Sequence, residues 1–530
     1  METFAEAYKI LNPRQKEAVD AIEGPVMVIA GPGTGKTQIL TLRIANILLK
    51  TQMKPGAILA LTFTESATAN MRRRLVSLIG TPGYYVNIST FHGFANDLIQ
   101  QYPEHFPGII GARNAAEVDQ IQLVRRVVEE SSFEHLKPFG DIFYYVPDIL
   151  SAIKQVKNEA LTPEDFAKLL DVEEKRLNDI PDLKHEKGKY AGRMKGEYEK
   201  EFATLAKNRE LAEIYKEYEK RLREARLYDF EDMILAVIRA FESRPQFLLQ
   251  IQERYQYFLV DEHQDTNGAQ NRLLELLASY YEAPNLFVVG DEKQAIFRFQ
   301  GASLENFLYF QNKYPEAKVI YLEDNYRSYQ SILDSAGSLI EKNTTTLKRD
   351  LKAARGVGPK PAGAKGAPAA AIEIVSVRTP EAEQFTIAEI IKKKIEEGTL
   401  LGEIAVLYRQ NSDAAHIADM LSRRGIAYTI ESDRDVLQDR DIQNILLLLE
   451  TIADFGNDEK LAEALHLDFL ALKPLEIYKL IGQSRGGRDS GGRRTSLYDV
   501  VAPTLIGRKL AEWKVKSMNL NFLNFFEDLI

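Results

Sequence analysis

Residues 25–37 read PVMVIAGPGTGKT, and the reading of this stretch decides the fold. A short apolar run feeds a glycine-rich turn, and the turn opens onto a segment with helical apolar spacing over residues 37–49. That order puts backbone N–H groups at a helix N-terminus, where they can wrap a polyphosphate. Ala30, Gly31, Pro32, Gly33, Thr34 and Gly35 form the expected cradle, with Gln38 three residues beyond it. Lys36 is placed to neutralise β- and γ-phosphate charge, and Thr37 to offer its hydroxyl to Mg²⁺. Ala30 stands where the simplest pattern has glycine, but the compact GxGKT core keeps the reading intact.

Working outward, residues 57–63 (AILALTF) and 87–90 (NIST) read as further strands, each followed by a helical stretch. Residues 257–260 (YFLV) run into Asp261 and Glu262, and residues 286–289 (LFVV) into GDEKQAIFRFQ at 290–300. Strands alternating with helices predict an α/β fold with a parallel sheet and with ligands at the strand C-terminal ends. Asp261 is expected to serve the metal and Glu262 to act as base toward the attacking water. Gln294 can reach the γ-phosphate or its water, while Phe297 and Phe299 offer flat faces to bases. From about residue 114 to 224 the pattern turns to long, charged, helical segments, which predicts a helical insertion. A second α/β unit is expected from about residue 317, with strands at 318–322, 371–377 and 403–408 and a helix over 381–397. Residues 355–370 and 484–494 read as Gly-rich loops, and the chain is helical again from about residue 429.

The 530 residues leave room for three or four domains at roughly 150 residues each. With 68 Lys+Arg against 77 Asp+Glu, the net charge of −9 excludes a protein that coats nucleic acid by bulk charge, yet permits a local basic groove. Arg72 and Arg73 are candidates for such a track. The absence of cysteine excludes disulfides, cysteine-ligated zinc or iron–sulfur clusters and thiol catalysis. No apolar run approaches the roughly 20 residues a membrane span needs, and the first residues do not read as a leader, so a cytoplasmic protein is expected.

Seven ordered segments resemble superfamily 1A DNA helicases of the UvrD/PcrA/Rep type. They are LNPRQKEAV (11–19), the phosphate loop, ALTFTESATANMRRR (60–74), STFHGFANDLI (89–99), LVDEHQDTN (259–267), VVGDEKQAIFRFQGA (288–302) and LEDNYRS (322–328). The resemblance implies a P-loop NTPase with RecA-like motor domains. The first motor domain would cover residues 1–110 and 226–312, with a helical insertion over 111–225. The second would begin over 313–428 and remain incomplete, followed by part of a second helical domain over 429–530. It further implies that Gln15 binds the adenine edge, that Tyr326 stacks on the base and that Arg327 reaches the γ-phosphate across the cleft between motor domains. Phe63, His92, Phe297 and Phe299 would contact single-stranded DNA.

The implied activity is ATP- and Mg²⁺-dependent translocation 3′ to 5′ on single-stranded DNA, with unwinding at single/double-strand junctions in repair or replication restart. Gln38, His263, Phe299 and Gln300 depart from the family's usual residues. No segment after Tyr408 resembles the family's late motifs, so the sequence reads as a piece of a longer protein. A helicase–nuclease subunit remains open for the whole protein, as does an ATP-gated DNA-binding module for this chain alone.

Overall fold

The computed structural model describes residues 4–184, 192–295, 304–342, 350–354, 372–430, 440–486, 495–519 and 525. Residues 1–373 and 374–530 form two compact units. No helix among the described residues is long and apolar enough to cross a membrane.

The first unit is built on strands β1 (Val26–Ala30), β2 (Ile58–Thr62), β3 (Asn87–Thr90), β6 (Tyr257–Val260), β7 (Leu286–Gly290) and β8 (Lys318–Leu322). Two short strands, β4 (Arg113–Asn114) and β5 (Leu227–Tyr228), pair separately. The six-stranded sheet is parallel, in the order β3-β2-β6-β7-β1-β8. Its strands read as nearly unbroken apolar runs because both faces are covered. Met27, Ile29, Leu59, Leu61, Phe258 and Val260 face one core, together with Phe94 and Leu98 of the helix Phe91–Gln101 and Phe241 of the helix Phe230–Ser243. Val26, Val28, Ile58, Ala60, Leu259 and Val289 face the other, against Leu40 and Ile44 of Lys36–Thr51 and Leu75 of Glu65–Ile79. This is the mixed α/β, RecA-like P-loop fold.

The segment 318–322, assigned from sequence to a second α/β unit, pairs along its whole length with β1 and forms the edge of the first sheet. Residues 117–224 hold the helices Glu117–Glu130, Val146–Asn158, Pro163–Asn178 and Gly196–Glu224. Three of these helices close over Val124, Val128, Ile149, Ile153, Ile214 and Tyr218.

In the second unit, helices Pro380–Glu396 and Asn411–Arg423 pack through Ala388, Ile391 and Leu421. Among the described residues, no strand is formed in the segments expected at 371–377 and 403–408. Residues 372–377 and 404–408 run without a ladder among the described residues. Ile404 and Val406 pack against the helices, whereas Leu407 is 94% and Ile374 91% exposed. Alternation puts one face of such a segment on a core, but a strand also needs a neighbour to take its N–H and C=O groups. Further along, Leu448, Ile452, Leu461, Val501, Leu510 and Trp513 form a separate helical core.

Candidate nucleotide and nucleic-acid site

Each motif sits where a parallel strand ends, so the sheet order dictates the order of chemistry along one edge. Phe63 follows β2, His92 follows β3, Asp261 and Glu262 follow β6, Gln294 follows β7, the phosphate loop follows β1, and Tyr326 and Arg327 follow β8.

In the phosphate loop Gly33 and Gly35 adopt φ of +70° and +91°, which favours glycine at both. A Cβ at Gly33 would lie 2.6 Å from Arg327 Cβ, and one at Gly35 would lie 2.9 Å from Gln15 Nε2. Thr34 Oγ1 donates to Gly31 O at 2.8 Å, tightening the turn before Lys36 opens the helix Lys36–Thr51. Thr37 and Gln38 follow in its first turn.

Lys36 Nζ lies 2.6 Å from Glu262 Oε2, so the two charges expected to serve the phosphates and the water face each other directly. Glu262 holds a left-handed backbone, φ 48° and ψ 47°, a conformation that costs a non-glycine residue about 1 kcal/mol or more and gathers at functional sites. Its neighbour Asp261 is buried and accepts a hydrogen bond from Glu262 N at 3.0 Å. Burial, then the adjacent Glu262, pushes the Asp261 carboxyl up to about 7. Asp265 is likewise raised to about 6, by burial and then Glu262. Carboxylate oxygens crowded in this way, Asp261 buried among them, are the kind of donor that a hard divalent cation takes.

The nucleoside side is braced from two directions. Asn12 Nδ2 donates to Tyr326 OH and to Asp324 Oδ2, both at 2.9 Å. Asn325, fully buried, donates from Nδ2 to Pro32 O and accepts from Arg327 N and Ser328 N. Tyr326 and Arg327 therefore belong to the same compact unit as the phosphate loop, where the sequence reading had Arg327 arriving across a cleft. Gln15 is buried with both amide ends engaged: Oε1 accepts from Asn12 N at 3.0 Å and Nε2 donates to Thr34 O at 2.9 Å. Each end is used once, and an amide offers two N–H donors and two lone pairs, so Gln15 can meet an adenine edge while it keeps both partners. Gln294 Nε2 donates to Asp291 Oδ2 at 2.9 Å.

At the β3–β2 end, His92 stacks on Phe230 with ring centroids 3.8 Å apart. Phe230, which the sequence reading missed, opens the helix Phe230–Ser243 and is 46% exposed. The signal was an aromatic at a helix N-terminus, 138 residues from its partner and visible only once the chain folds. Phe63 is half-buried. Phe297, Phe299 and Gln300 lie outside the described residues. Arg72 donates to the carbonyls of Tyr84, Val86 and Ile88 at 3.1, 3.1 and 2.8 Å, so it braces β3 and its lead-in instead of lining a nucleic-acid track. Moving it would forfeit charged hydrogen bonds worth about 1.5–3 kcal/mol each. His263 is buried edge-on to Phe310, a packing role.

Burial, with Lys154 nearby, lowers the His92 imidazole to about 4. Between about pH 4 and 6.5 the unfolded chain then takes up a proton that the folded chain declines. The His92 contribution to stability is thus complete above pH 6.5 and lost as pH falls toward 4. Thermal melts from pH 7 to 4.5 are expected to fall less steeply for His92→Phe than for the unmodified chain.

A glycine-rich loop between a strand and a helix, a lysine facing a carboxylate and a second, buried acid at the ends of a parallel sheet define a protein of the P-loop class. The model of the UvrD/REP helicase N-terminal domain matches residues 11–315, and that of the UvrD-like helicase C-terminal domain matches residues 320–471. The chain belongs to the UvrD/REP helicase family. It is 30% identical over 475 residues to the ATP-dependent DNA helicase PcrA of Staphylococcus epidermidis, covering 89% of this chain and 58% of that protein. It is also 30% identical over 474 residues to PcrA of Staphylococcus aureus, covering 89% and 57%. The chain thus spans somewhat over half the length of these relatives.

Proposed function

We propose that this chain binds Mg-ATP along the β1–β6–β7 edge and hydrolyses it in response to single-stranded DNA held at the β3–β2 end. In this reading it is the amino-terminal motor part of a cytoplasmic 3′-to-5′ helicase that works at single/double-strand junctions in repair or replication restart. The observation that carries the proposal is the Lys36–Glu262 pair at 2.6 Å, on the same sheet edge as the His92–Phe230 stack. Residues 1–110 and 226–312 serve as the first motor domain, extended by β8, with 111–225 as its helical insertion. Residues 313–428 beyond β8 begin the second motor domain, and 429–530 belong to the second helical domain.

Lys36 and the loop N–H groups hold the β- and γ-phosphates, and Arg327 supplies a further positive charge to the γ-phosphate. Tyr326 stacks on the base, and Gln15 reads its edge with its second Nε2 hydrogen and second Oε1 lone pair. Thr37 and Asp261 would hold Mg²⁺, which neutralises charge on the transferring phosphoryl group when bound. Glu262 orients the attacking water and accepts its proton as the bond from the γ-phosphorus to the bridging oxygen breaks. Gln294 steadies the γ-phosphate or its water. Phe63, Phe297, Phe299, His92 and Phe230 give a sequence-tolerant stacking surface for bases.

Steady-state hydrolysis with and without oligo(dT) tests the reading: the rate is expected to rise on adding the oligonucleotide, and an ATPase indifferent to DNA would overturn it. Phe230→Ala and Phe63→Ala should each weaken single-strand affinity by about 1–3 kcal/mol, read by fluorescence anisotropy on several sequences. An ATP-gated DNA-binding module without unwinding is the second reading for this chain by itself. Segments 372–377 and 404–408, which form no ladder among the described residues, favour it, because a motor stroke needs a second formed sheet.

A further inference from the structure

Gln264 lies between the hydrolytic acid and the end of β7, and its amide is engaged at both ends. It is 1% exposed. Its Nε2 donates to Glu262 Oε2 at 2.8 Å and to Asp265 Oδ2 at 3.2 Å, while its Oε1 accepts from Asp291 N at 2.9 Å. Asp291 in turn accepts from Gln294 Nε2. One buried side chain therefore ties the carboxylate at the end of β6 to the turn at the end of the neighbouring strand.

The same Glu262 oxygen accepts from Lys36 Nζ at 2.6 Å. Lys36 cannot serve both Glu262 and a polyphosphate at full strength, because each competes for the same ammonium. Once phosphates draw Lys36 away, Glu262 keeps its left-handed backbone but loses the cation that fixed its side chain. The donor that stays is Gln264. Being neutral, it orients the carboxylate without the charge that would hold back its basicity. Being bonded to Asp291 N, it also moves with the 291–294 turn, which leads directly to the segment carrying Phe297 and Phe299.

We propose that Gln264 is a positioning residue: it holds Glu262 on the attacking water after Lys36 turns to the phosphates, and it transmits displacement of the Asp291–Gln294 turn to that carboxylate. This rests on the reading of Glu262 as the base. The consequence is that occupancy of the single-strand site alters the hydrolytic rate through one hydrogen-bonded amide, with little effect on ATP affinity.

The test uses the full chain with two substitutions. Gln264→Leu removes all three bonds, whereas Gln264→Glu keeps an acceptor for Asp291 N but replaces the donor to Glu262 and Asp265 with a like charge. Both variants are expected to lower the oligo(dT)-stimulated kcat about 10-fold, the scale of a misplaced catalytic group. KM and the affinity for a fluorescent ATP analogue should stay within about twofold. The ratio of stimulated to basal rate should collapse toward one in Gln264→Leu. An unchanged kcat in Gln264→Leu overturns the proposal. So does a parallel loss of kcat, ATP affinity and melting temperature, which marks a merely structural glutamine. Should Gln264→Glu match the unmodified chain while Gln264→Leu is slow, the Asp291 bond alone matters and orientation of Glu262 by the amide is refuted. Glu262→Gln run in parallel separates the two levels: if it retains full turnover, the base assignment fails, whatever Gln264 does.

Discussion

Glu262→Gln is expected to lower ATP turnover by about 10²- to 10⁴-fold, the usual contribution of a positioned general base, while leaving nucleotide affinity unchanged or higher. The direction of the affinity change follows from the ion pair. Lys36 Nζ sits 2.6 Å from the Glu262 carboxylate, so phosphates must compete with that carboxylate for the lysine. Neutral glutamine weakens the competitor and leaves the cradle intact. Lys36→Ala should do the reverse: it removes the charge facing two phosphates, so affinity is lost along with turnover. It also leaves Glu262 beside the buried Asp261 and the half-buried Asp265 with no cation among them, which deepens the repulsion that already raises both aspartates. Calorimetry with ATP and steady-state hydrolysis together separate the two outcomes. Equal affinity in Lys36→Ala would refute the phosphate reading. Undiminished turnover in Glu262→Gln would refute the assignment of the base.

The placement of the candidate nucleotide residues at the sheet edge was legible because the elements that carry them are local in sequence. A parallel strand buried on both faces is an apolar run of four or five residues, and the residue that ends it lies at the sheet edge. β1, β2, β6 and β7 therefore declared both themselves and the positions of Lys36, Asp261, Glu262 and Gln294. What a strand's own residues do not state is which neighbour it pairs with. The run KVIYL at 318–322 is equally good as the first strand of a new sheet or the last of the old one, and pairing with β1 decides the matter. Segments 372–377 and 404–408 show the converse: each carries apolar residues like a strand, and neither has a ladder among the described residues.

Side-chain partners were less legible still. Nothing in the sequence near Arg72 says that its guanidinium closes on three carbonyls of residues 84–88, and nothing near Gln15 says that both amide ends are engaged by Asn12 and Thr34. The His92–Phe230 stack joins residues on either side of the whole helical insertion. Such contacts are set by tertiary approach and carry no local period to read.

The largest stability effect expected outside the nucleotide site falls on Lys157, which the sequence pattern hid inside a charged helix. Its ammonium is fully buried and lies 2.5 Å from Asp229, 2.6 Å from Glu219 and 2.8 Å from Asp232. Among the described residues these three acids are also the one group spaced to hold a metal ion, and the lysine fills that role. Lys157 belongs to Val146–Asn158 and Glu219 to Gly196–Glu224, both in the insertion, whereas Asp229 and Asp232 form the capping box of Phe230–Ser243 on the sheet. The cluster thus fastens the insertion to the helix whose first residue stacks on His92.

Three carboxylates against one ammonium leave excess negative charge in the interior. Burial pushes Asp229 up to about 7, while Lys157 holds Asp232 down. Lys157→Met strands Asp229 and Asp232 and leaves Glu219 only Arg223, 3.8 Å away, and breaking a buried pair from one side costs about 3–5 kcal/mol. The loss should depend on pH with a defined sign. Stranded carboxylates bind protons more tightly in the folded than in the unfolded state, so the folded variant gains stability as pH falls and loses it as pH rises through their raised values. Urea unfolding of Lys157→Met is therefore expected to show its largest deficit near pH 8 and a smaller one near pH 5.5. Adding Asp229→Asn, which keeps a good N-cap and removes one stranded charge, should restore part of the loss at pH 8. A deficit independent of pH would mean that Lys157 contributes through packing against Tyr215 and Tyr218 and that the charge cluster is not what joins the insertion to the sheet.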